Sequence, residues 1–205
     1  LCGARNVGKS SFARLLINRA LSDGARRVGF LECDVGQSEH TPPALVSLHE
    51  VSVPALGPSN LEPCAADDAE SAGAAQGQPT RNRLLGSRLL GEVTPADQPT
   101  QYLACIRTLL AQYRGVGTAA VRPPPLVVNT CGWIGGLGAE LLAEIVRATA
   151  PTTVVLLDDR KPDARPAPPM VALDVASELG AHLLRLPGLS ASAASDSAAI
   201  DSVPE

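Results

Sequence analysis

Apolar residues along the chain recur with two periods, and the alternation between them predicts an α/β arrangement. From Ser10 to Leu21, Phe12, Leu15, Leu16 and Ala20 share one helical face with Arg14 and Arg19 off it, and Ser22-Asp23-Gly24 supplies a stop. Val28 to Cys33 reads as a buried strand, and Ala44 to Val53 as a second one that follows the extended segment Thr41-Pro42-Pro43. Arg83 to Leu90 predicts another strand. After the loop Gly91 to Pro99, residues Tyr102, Ile106, Leu109, Leu110 and Tyr113 mark an amphipathic helix. Leu126 to Asn129 is a short strand behind three prolines, and Leu137, Leu141, Leu142, Ile145 and Val146 form the inward face of the next helix. Thr153 to Leu157 predicts a strand, Asp158 to Pro169 a polar, proline-rich loop, and Ala181 to Leu186 a last strand.

Two stretches break the pattern. Residues 59–82 combine Ala, Gly, Asp, Gln, Pro and Ser with almost no large apolar side chains, and the chain from Gly188 onward is rich in Ser, Ala and Asp. Neither can repay the entropy of ordering, so the first is expected to be a disordered insertion and the second a disordered tail. The organisation that follows is one domain over residues 1–187 and a tail over 188–205.

Composition narrows the class further. At 205 residues with 45% apolar content the chain can bury one core. It has no run of 18 or more apolar residues and no cleavable signal, so it reads as intracellular with no membrane segment. Five cysteines (Cys2, Cys33, Cys64, Cys105, Cys131) contain no C-x-x-C pair and fit reduced thiols. A net charge of −4 gives no general footprint for nucleic acid, so any such binding has to come from a local groove.

Candidate chemistry begins at the first residues. Gly3, Gly8, Lys9 and Ser10 complete the signature G-x-x-x-x-G-K-[ST], in which glycines curl the backbone so that N–H groups face one anion and the following helix offers its N-terminus to it. Lys9 is then expected to reach the β- and γ-phosphates of a nucleoside triphosphate and Ser10 to ligate magnesium. Only Leu1 and Cys2 precede the loop, where a buried strand is expected, so the fold is expected to be incomplete at its start. Asp34 follows a strand, at the edge where ligands bind open α/β sheets, and is the candidate acid for magnesium or for orienting an attacking hydroxyl. Glu32, two residues earlier, points to the same side. Two readings stay open for it: ordering a metal's water shell, or a structural hydrogen bond. His40 is expected to be a solvated loop histidine. The strand ending at Asn129 delivers Asn129-Thr130-Cys131-Gly132-Trp133, with the only tryptophan of the chain, to the same end of the sheet as Asp34.

Taken together, Gly3 to Ser10, then Leu31 to Gln37 with Thr41-Pro42-Pro43, then Val128 to Trp133, resemble the polynucleotide 5′-hydroxyl-kinases, most closely their nucleolar pre-rRNA-processing branch. The resemblance runs to about residue 158, skipping the insertion. It implies an α/β P-loop NTPase fold, a three-layer sandwich with a mainly parallel sheet, incomplete at both ends. The implied activity is transfer of the γ-phosphoryl of ATP, with Mg2+, to the 5′-hydroxyl end of RNA. Implied partners are that RNA and other pre-rRNA-processing proteins, in the nucleus and its nucleolus. The implied nucleotide-binding residues are Gly3, Ala4, Arg5, Asn6, Val7, Gly8, Lys9, Ser10 and Ser11, with Ser10 and Asp34 at the metal. Lys9, Asp34, Gln37, Thr130 and Trp133 are the implied catalytic set, and Thr130, Gly132 and Trp133 match a T-x-G-W clasp that closes on the phosphate loop. One departure stands out: the family carries lid arginines beyond its last strand, and here no arginine follows Arg185. Two other readings stay open. One is a nucleotide-binding scaffold of an RNA-processing complex that has lost catalysis. The other, less favoured, is a GTPase switch suggested by Asp34-Val35-Gly36-Gln37, whose spacing is one residue short and whose nearest guanine-reading element is Arg160-Lys161-Pro162-Asp163.

Overall fold

The computed structural model describes residues 1–54, 56, 82–115, 123–158 and 169–188, and among them are seven strands and four helices. They are β1 (Cys2–Gly3), α1 (Lys9–Ser22), β2 (Val28–Glu32), β3 (Leu45–Val51), β4 (Arg83–Leu89), α2 (Pro99–Gly115), β5 (Leu126–Asn129), α3 (Leu137–Thr149), β6 (Thr153–Asp158), α4 (Met170–Glu178) and β7 (His182–Pro187). The insertion expected over 59–82, apart from Asn82, lies outside the described residues, as do 159–168 of the expected polar loop and the tail beyond Gly188.

One ladder runs β4-β3-β2-β5 and a second β1-β6-β7. β2 is parallel to β5 with Glu32 opposite Asn129, and β6 is parallel to both β1 and β7. β3 is antiparallel to both β2 and β4. The Leu1 backbone nitrogen donates to the Val128 carbonyl at 2.8 Å, so β1 lies beside β5 and the two ladders continue one another.

Side-chain alternation along the central strands sorts the helices into two outer layers. Phe30, Val28 and Val51 pack on Ala13 and Ile17 of α1, and Val155 and Leu157 on Val7 of the same side. Leu31, Val46 and Leu48 face α2 and α3, while Cys2, Val154 and Leu156 face α3 and α4. The result is the expected α/β sandwich, with both faces of the mainly parallel sheet covered.

Several expectations change. In α1 the buried line is Lys9, Ala13 and Ile17, while Leu15 is 61% exposed. The helix starts at the phosphate loop, Lys9 takes the inward position there, and steps of four residues set the phase from it. Leu137, expected inward on α3, is exposed because it occupies the first turn. The sequence reading had no helix at Met170–Glu178, where Ala172, Leu173, Val175 and Ala176 are buried over only nine residues. His40 is not a freely solvated side chain: half-buried, it lies edge-on to Phe30 at 5.6 Å and 5.1 Å from the ring of His49.

His49 is 1% exposed, and burial, with His40 beside it, pushes its pKa down from about 6.5 to about 3. The unfolded chain therefore takes up this proton first as pH falls. The neutral histidine's contribution to stability is complete above about pH 6.5 and is lost toward pH 3. Between pH 6 and 4 the wild type should lose about 1.4 kcal/mol per pH unit more than His49→Gln, read from urea unfolding midpoints. Parallel pH slopes in the two proteins would contradict the assignment.

Candidate active site

The segment between β1 and α1 is shaped by two glycines. Gly3 has φ +143°, and a Cβ there would sit 2.3 Å from the Leu157 carbonyl oxygen, so no larger residue fits. Gly8 caps α1 at φ 90° without any side-chain capping bond, and the first turn carries no acid. Phe12 is the residue whose N–H returns to the Gly8 carbonyl, at 2.8 Å. The N–H groups of Lys9, Ser10 and Ser11 therefore precede the first intrahelical bond and are available to an anion, which the helix dipole also favours there.

Lys9 is 6% exposed, and its Nζ donates to the Ala4 carbonyl at 2.7 Å, bridging the loop. Burial lowers its pKa, while Asp34, Cys131 and Cys2 act in the opposite direction. Together with Arg5, Asp34, Gln37, Gly132 and Trp133 it lines a cavity of about 470 Å³. Five of the expected site residues are thus brought to one space by three separate segments. Asn6, at φ 62°, is exposed beside them in the loop.

Behind the cavity lies a buried polar network. Glu32 is fully buried; its Oε1 accepts from the Asp34 N–H at 2.9 Å and from Asn129 Nδ2 at 3.1 Å, and its Oε2 accepts from the Glu39 N–H at 3.3 Å. Burial pushes Glu32 up to about 8, although the donors from Asp34, Glu39 and Asn129 work against that rise. Of the two readings of Glu32, the geometry shows the hydrogen-bonding one. The same Asn129 Nδ2 donates to Ser10 Oγ at 3.2 Å, which connects the phosphate-loop helix to the acidic strand end. Asp34 Oδ1 accepts from the N–H groups of Gly36 and Gln37, both at 3.1 Å, and so holds its own turn while lining the cavity.

The donor set suits magnesium. Ser10 and Asp34 offer a hydroxyl and a carboxylate, both hard oxygens, and among the described residues no group of three or more His, Cys, Asp or Glu could form an all-protein cage. Asn129 Oδ1 is buried and has no hydrogen-bond partner among the described residues, an acceptor of the kind that a metal-bound water satisfies.

The segment after β5 closes against the phosphate loop. A Cβ on Gly132 would lie 2.6 Å from both the Arg5 nitrogen and Arg5 Cγ, so the two backbones touch there. Thr130 is 4% exposed and donates from Oγ1 to the Leu1 carbonyl at 2.7 Å; it is not among the residues lining the cavity. Its place is therefore behind the site, stitching the segment to β1. Cys131 reaches the cavity, but burial pushes its thiol up, away from the reactive thiolate.

Sequence reasoning missed several supports. Asn129 appeared only as the end of a strand, though a polar residue directly after Val127-Val128 was the available signal. Tyr102 was assigned to the apolar face of its helix, yet its OH donates to the Cys33 carbonyl at 2.7 Å and so fixes the strand just before Asp34. Arg14 pairs with Glu39, tying α1 to the turn after Asp34. Gly138 gave no signal. A Cβ there would lie 2.4 to 2.6 Å from the Trp133 carbonyl oxygen, Cγ and Cδ2, so its missing side chain is what seats the indole.

Comparison with known proteins accords with this geometry. A family model described as mRNA cleavage and polyadenylation factor CLP1 P-loop matches residues 3–168. The chain is 34% identical over 168 residues to Polynucleotide 5′-hydroxyl-kinase GRC3 of Gibberella zeae, covering 80% of this chain and 21% of that protein. It is 32% identical over 157 residues to Polynucleotide 5′-hydroxyl-kinase NOL9 of Homo sapiens, covering 76% of this chain and 18% of that protein. It thus spans about a fifth of the length of these curated relatives. The solved wild-type Clp1p–Pcf11p complex is similar at a TM-score of 0.68 and 19% identity, over 93% of this chain and 43% of that one, a likeness of fold.

Two outcomes test the site. Lys9→Ala should remove charge-assisted contacts to a triphosphate, each typically about 1.5 to 3 kcal/mol, and should abolish most of the thermal shift that ATP with magnesium produces in the wild type. Equal shifts would mean that the loop is not the binding site. Gly138→Ala should displace the indole of Trp133, and because that tryptophan is the only one, its emission should move to longer wavelength. An unchanged spectrum would show that α3 does not seat it.

Proposed function

The chain belongs to the CLP1 P-loop family, and from that premise we propose that it is the nucleotide-binding and phosphoryl-transfer domain of a polynucleotide 5′-hydroxyl kinase. The observation that carries the reading is the meeting of the Lys9 loop, the acidic turn at Asp34 and the Gly132-Trp133 segment around one cavity. A loop that binds triphosphate needs no acceptor wall; a kinase does. The names of the GRC3 and NOL9 relatives support RNA or another polynucleotide as that acceptor.

In this reading Lys9 and the N–H groups at the start of α1 hold the phosphates of ATP, with Gly3 and Gly8 allowing the close backbone approach. Ser10 and Asp34 would hold Mg2+, which would neutralise charge on the triphosphate. Asp34, braced by its bonds from Gly36 and Gln37, orients the 5′-hydroxyl of RNA and accepts its proton. The new bond joins that oxygen to the γ-phosphorus as the bond to the β-phosphate oxygen breaks, and ADP leaves. Gln37 and Trp133, both in the cavity lining, position the acceptor, and Thr130 acts through the position of the segment rather than on the reacting atoms. We place the activity in pre-rRNA maturation, in the nucleolus with other processing proteins, on the resemblance of the three motifs to that branch.

In the full-length protein, ATP should label a 5′-hydroxyl RNA oligonucleotide and leave a 5′-phosphorylated one unlabelled. Asp34→Asn should lower the rate by about 10² to 10⁴-fold while ATP affinity stays within a few-fold, since the amide keeps the size but loses charge and basicity. Full transfer in that variant would remove Asp34 from the chemistry. Binding of ATP by the wild type with no transfer would favour the scaffold instead.

A further inference from the structure

The segment joining β4 to α2 was read in the sequence as a plain loop, yet Val93, Thr94 and Pro95 line the same cavity as Lys9, Asp34 and Trp133. It is a fixed wall. At its start the Leu90 N–H donates to the Ala44 carbonyl at 2.9 Å, with the Gly91 N–H on the same oxygen at 3.4 Å. At its far end Tyr102 is anchored through its OH to the Cys33 carbonyl, one residue before Asp34. Between these anchors the segment presses on the acidic turn, since a Cβ on Gly36 would lie 3.0 Å from the Val93 carbonyl oxygen. Pro95 is buried, and the Ala96 N–H donates to Thr94 Oγ1 at 3.4 Å. Val93, by contrast, is 59% exposed, an apolar side chain held at the cavity by a backbone that is braced on both sides.

An exposed valine by itself is ordinary. What gives this one meaning is its place relative to the reacting groups. The cavity is lined by charged side chains, Arg5, Lys9 and Asp34, and by apolar ones, Pro43, Val93, Pro95 and Trp133. If Asp34 receives a terminal 5′-hydroxyl, the ribose bearing that hydroxyl carries its base only one sugar ring away. A planar heterocycle suits a cavity lined by apolar side chains and an indole, and such contacts tolerate any base because each offers a π-face.

We propose that Val93-Thr94-Pro95 forms the wall of the acceptor subsite against which the base of the 5′-terminal nucleotide packs, with Val93 as its contact residue. The proposal rests on the reading of Asp34 as the group that receives the acceptor hydroxyl. It makes Val93 a determinant of acceptor affinity rather than of chemistry.

The test uses the full-length protein with two RNA oligonucleotides that both end in a 5′-hydroxyl, one with a natural terminal base and one with an abasic terminal ribose. Val93→Ser should fold normally, given its exposure. It should raise KM for the natural oligonucleotide roughly 5- to 10-fold, with kcat and the KM for ATP within about twofold. The wild type should prefer the natural end over the abasic one, and Val93→Ser should lose most of that preference. Equal KM values for RNA in wild type and variant, or a wild type indifferent to the terminal base, would overturn the proposal. A rise in the KM for ATP alone would assign the wall to the donor's adenine, which also overturns it. These failures leave phosphorylation by the wild type intact, whereas absence of transfer to both oligonucleotides would remove the reading of Asp34 and this proposal with it.

Discussion

A carboxyl group sealed from water has to be hydrogen-bonded, and Glu32 meets that demand with N–H groups from Asp34, Glu39 and the Asn129 carboxamide. The demand organises the site. To satisfy it, β5 has to run parallel to β2 with Asn129 opposite Glu32, and the turn after β2 has to fold back so that Glu39 reaches the same carboxyl group. Because Asn129 Nδ2 also reaches Ser10 Oγ, the phosphate-loop helix takes its place from the same bond system. Losing one donor from such a group typically costs about 1 to 3 kcal/mol, so the relative position of Ser10 and Asp34 is enforced by desolvation rather than by loop stiffness.

The central elements were legible because their signals are local. The glycine spacing around Lys9, the strand before Asp34 and the strand before Asn129 each announce themselves within ten residues. What escaped reading depends on partners distant in the chain. Leu15 looks inward by periodicity until Lys9 takes the inner position and sets the phase of α1. α4 escaped because Ala172, Val175 and Ala176 give weak periodicity over nine residues, and its burial is decided by α3 and the sheet. In the site, the carboxylate and the lysine were visible as chemical types, but Asn129, Tyr102 and Gly138 act through a bond or a missing atom facing another segment. Thr130 belongs to the visible motif, yet its hydroxyl bonds to the Leu1 carbonyl, a direction that only the fold supplied.

Two glycines make the segment after β5 part of the phosphate loop. Gly132 lets its backbone rest on Arg5, and Gly138 lets α3 close behind Trp133. A side chain at either position would wedge the indole or the arginine away from the cavity. The part of the cavity lined by Gly132 and Trp133 is therefore set by close contacts among the phosphate loop, the segment after β5 and α3, and small substrates meet a surface there that is largely formed in advance.

Charge is where the site departs most from the chain as a whole. The protein carries a net −4, which repels polyanions at a distance, but the residues around the cavity include two cations, Arg5 and Lys9, against the single carboxylate of Asp34. A local excess of positive charge inside a concave, low-dielectric wall is felt strongly at short range and is screened beyond about 8 to 10 Å at physiological salt. Such a field does little to capture a long nucleic acid along its backbone. It favours anionic groups that enter the cavity. On the proposed function, Arg5 and Lys9 serve the anionic donor and Asp34 the acceptor hydroxyl, so a bound nucleotide meets the local charge of the cavity rather than the net −4 of the chain.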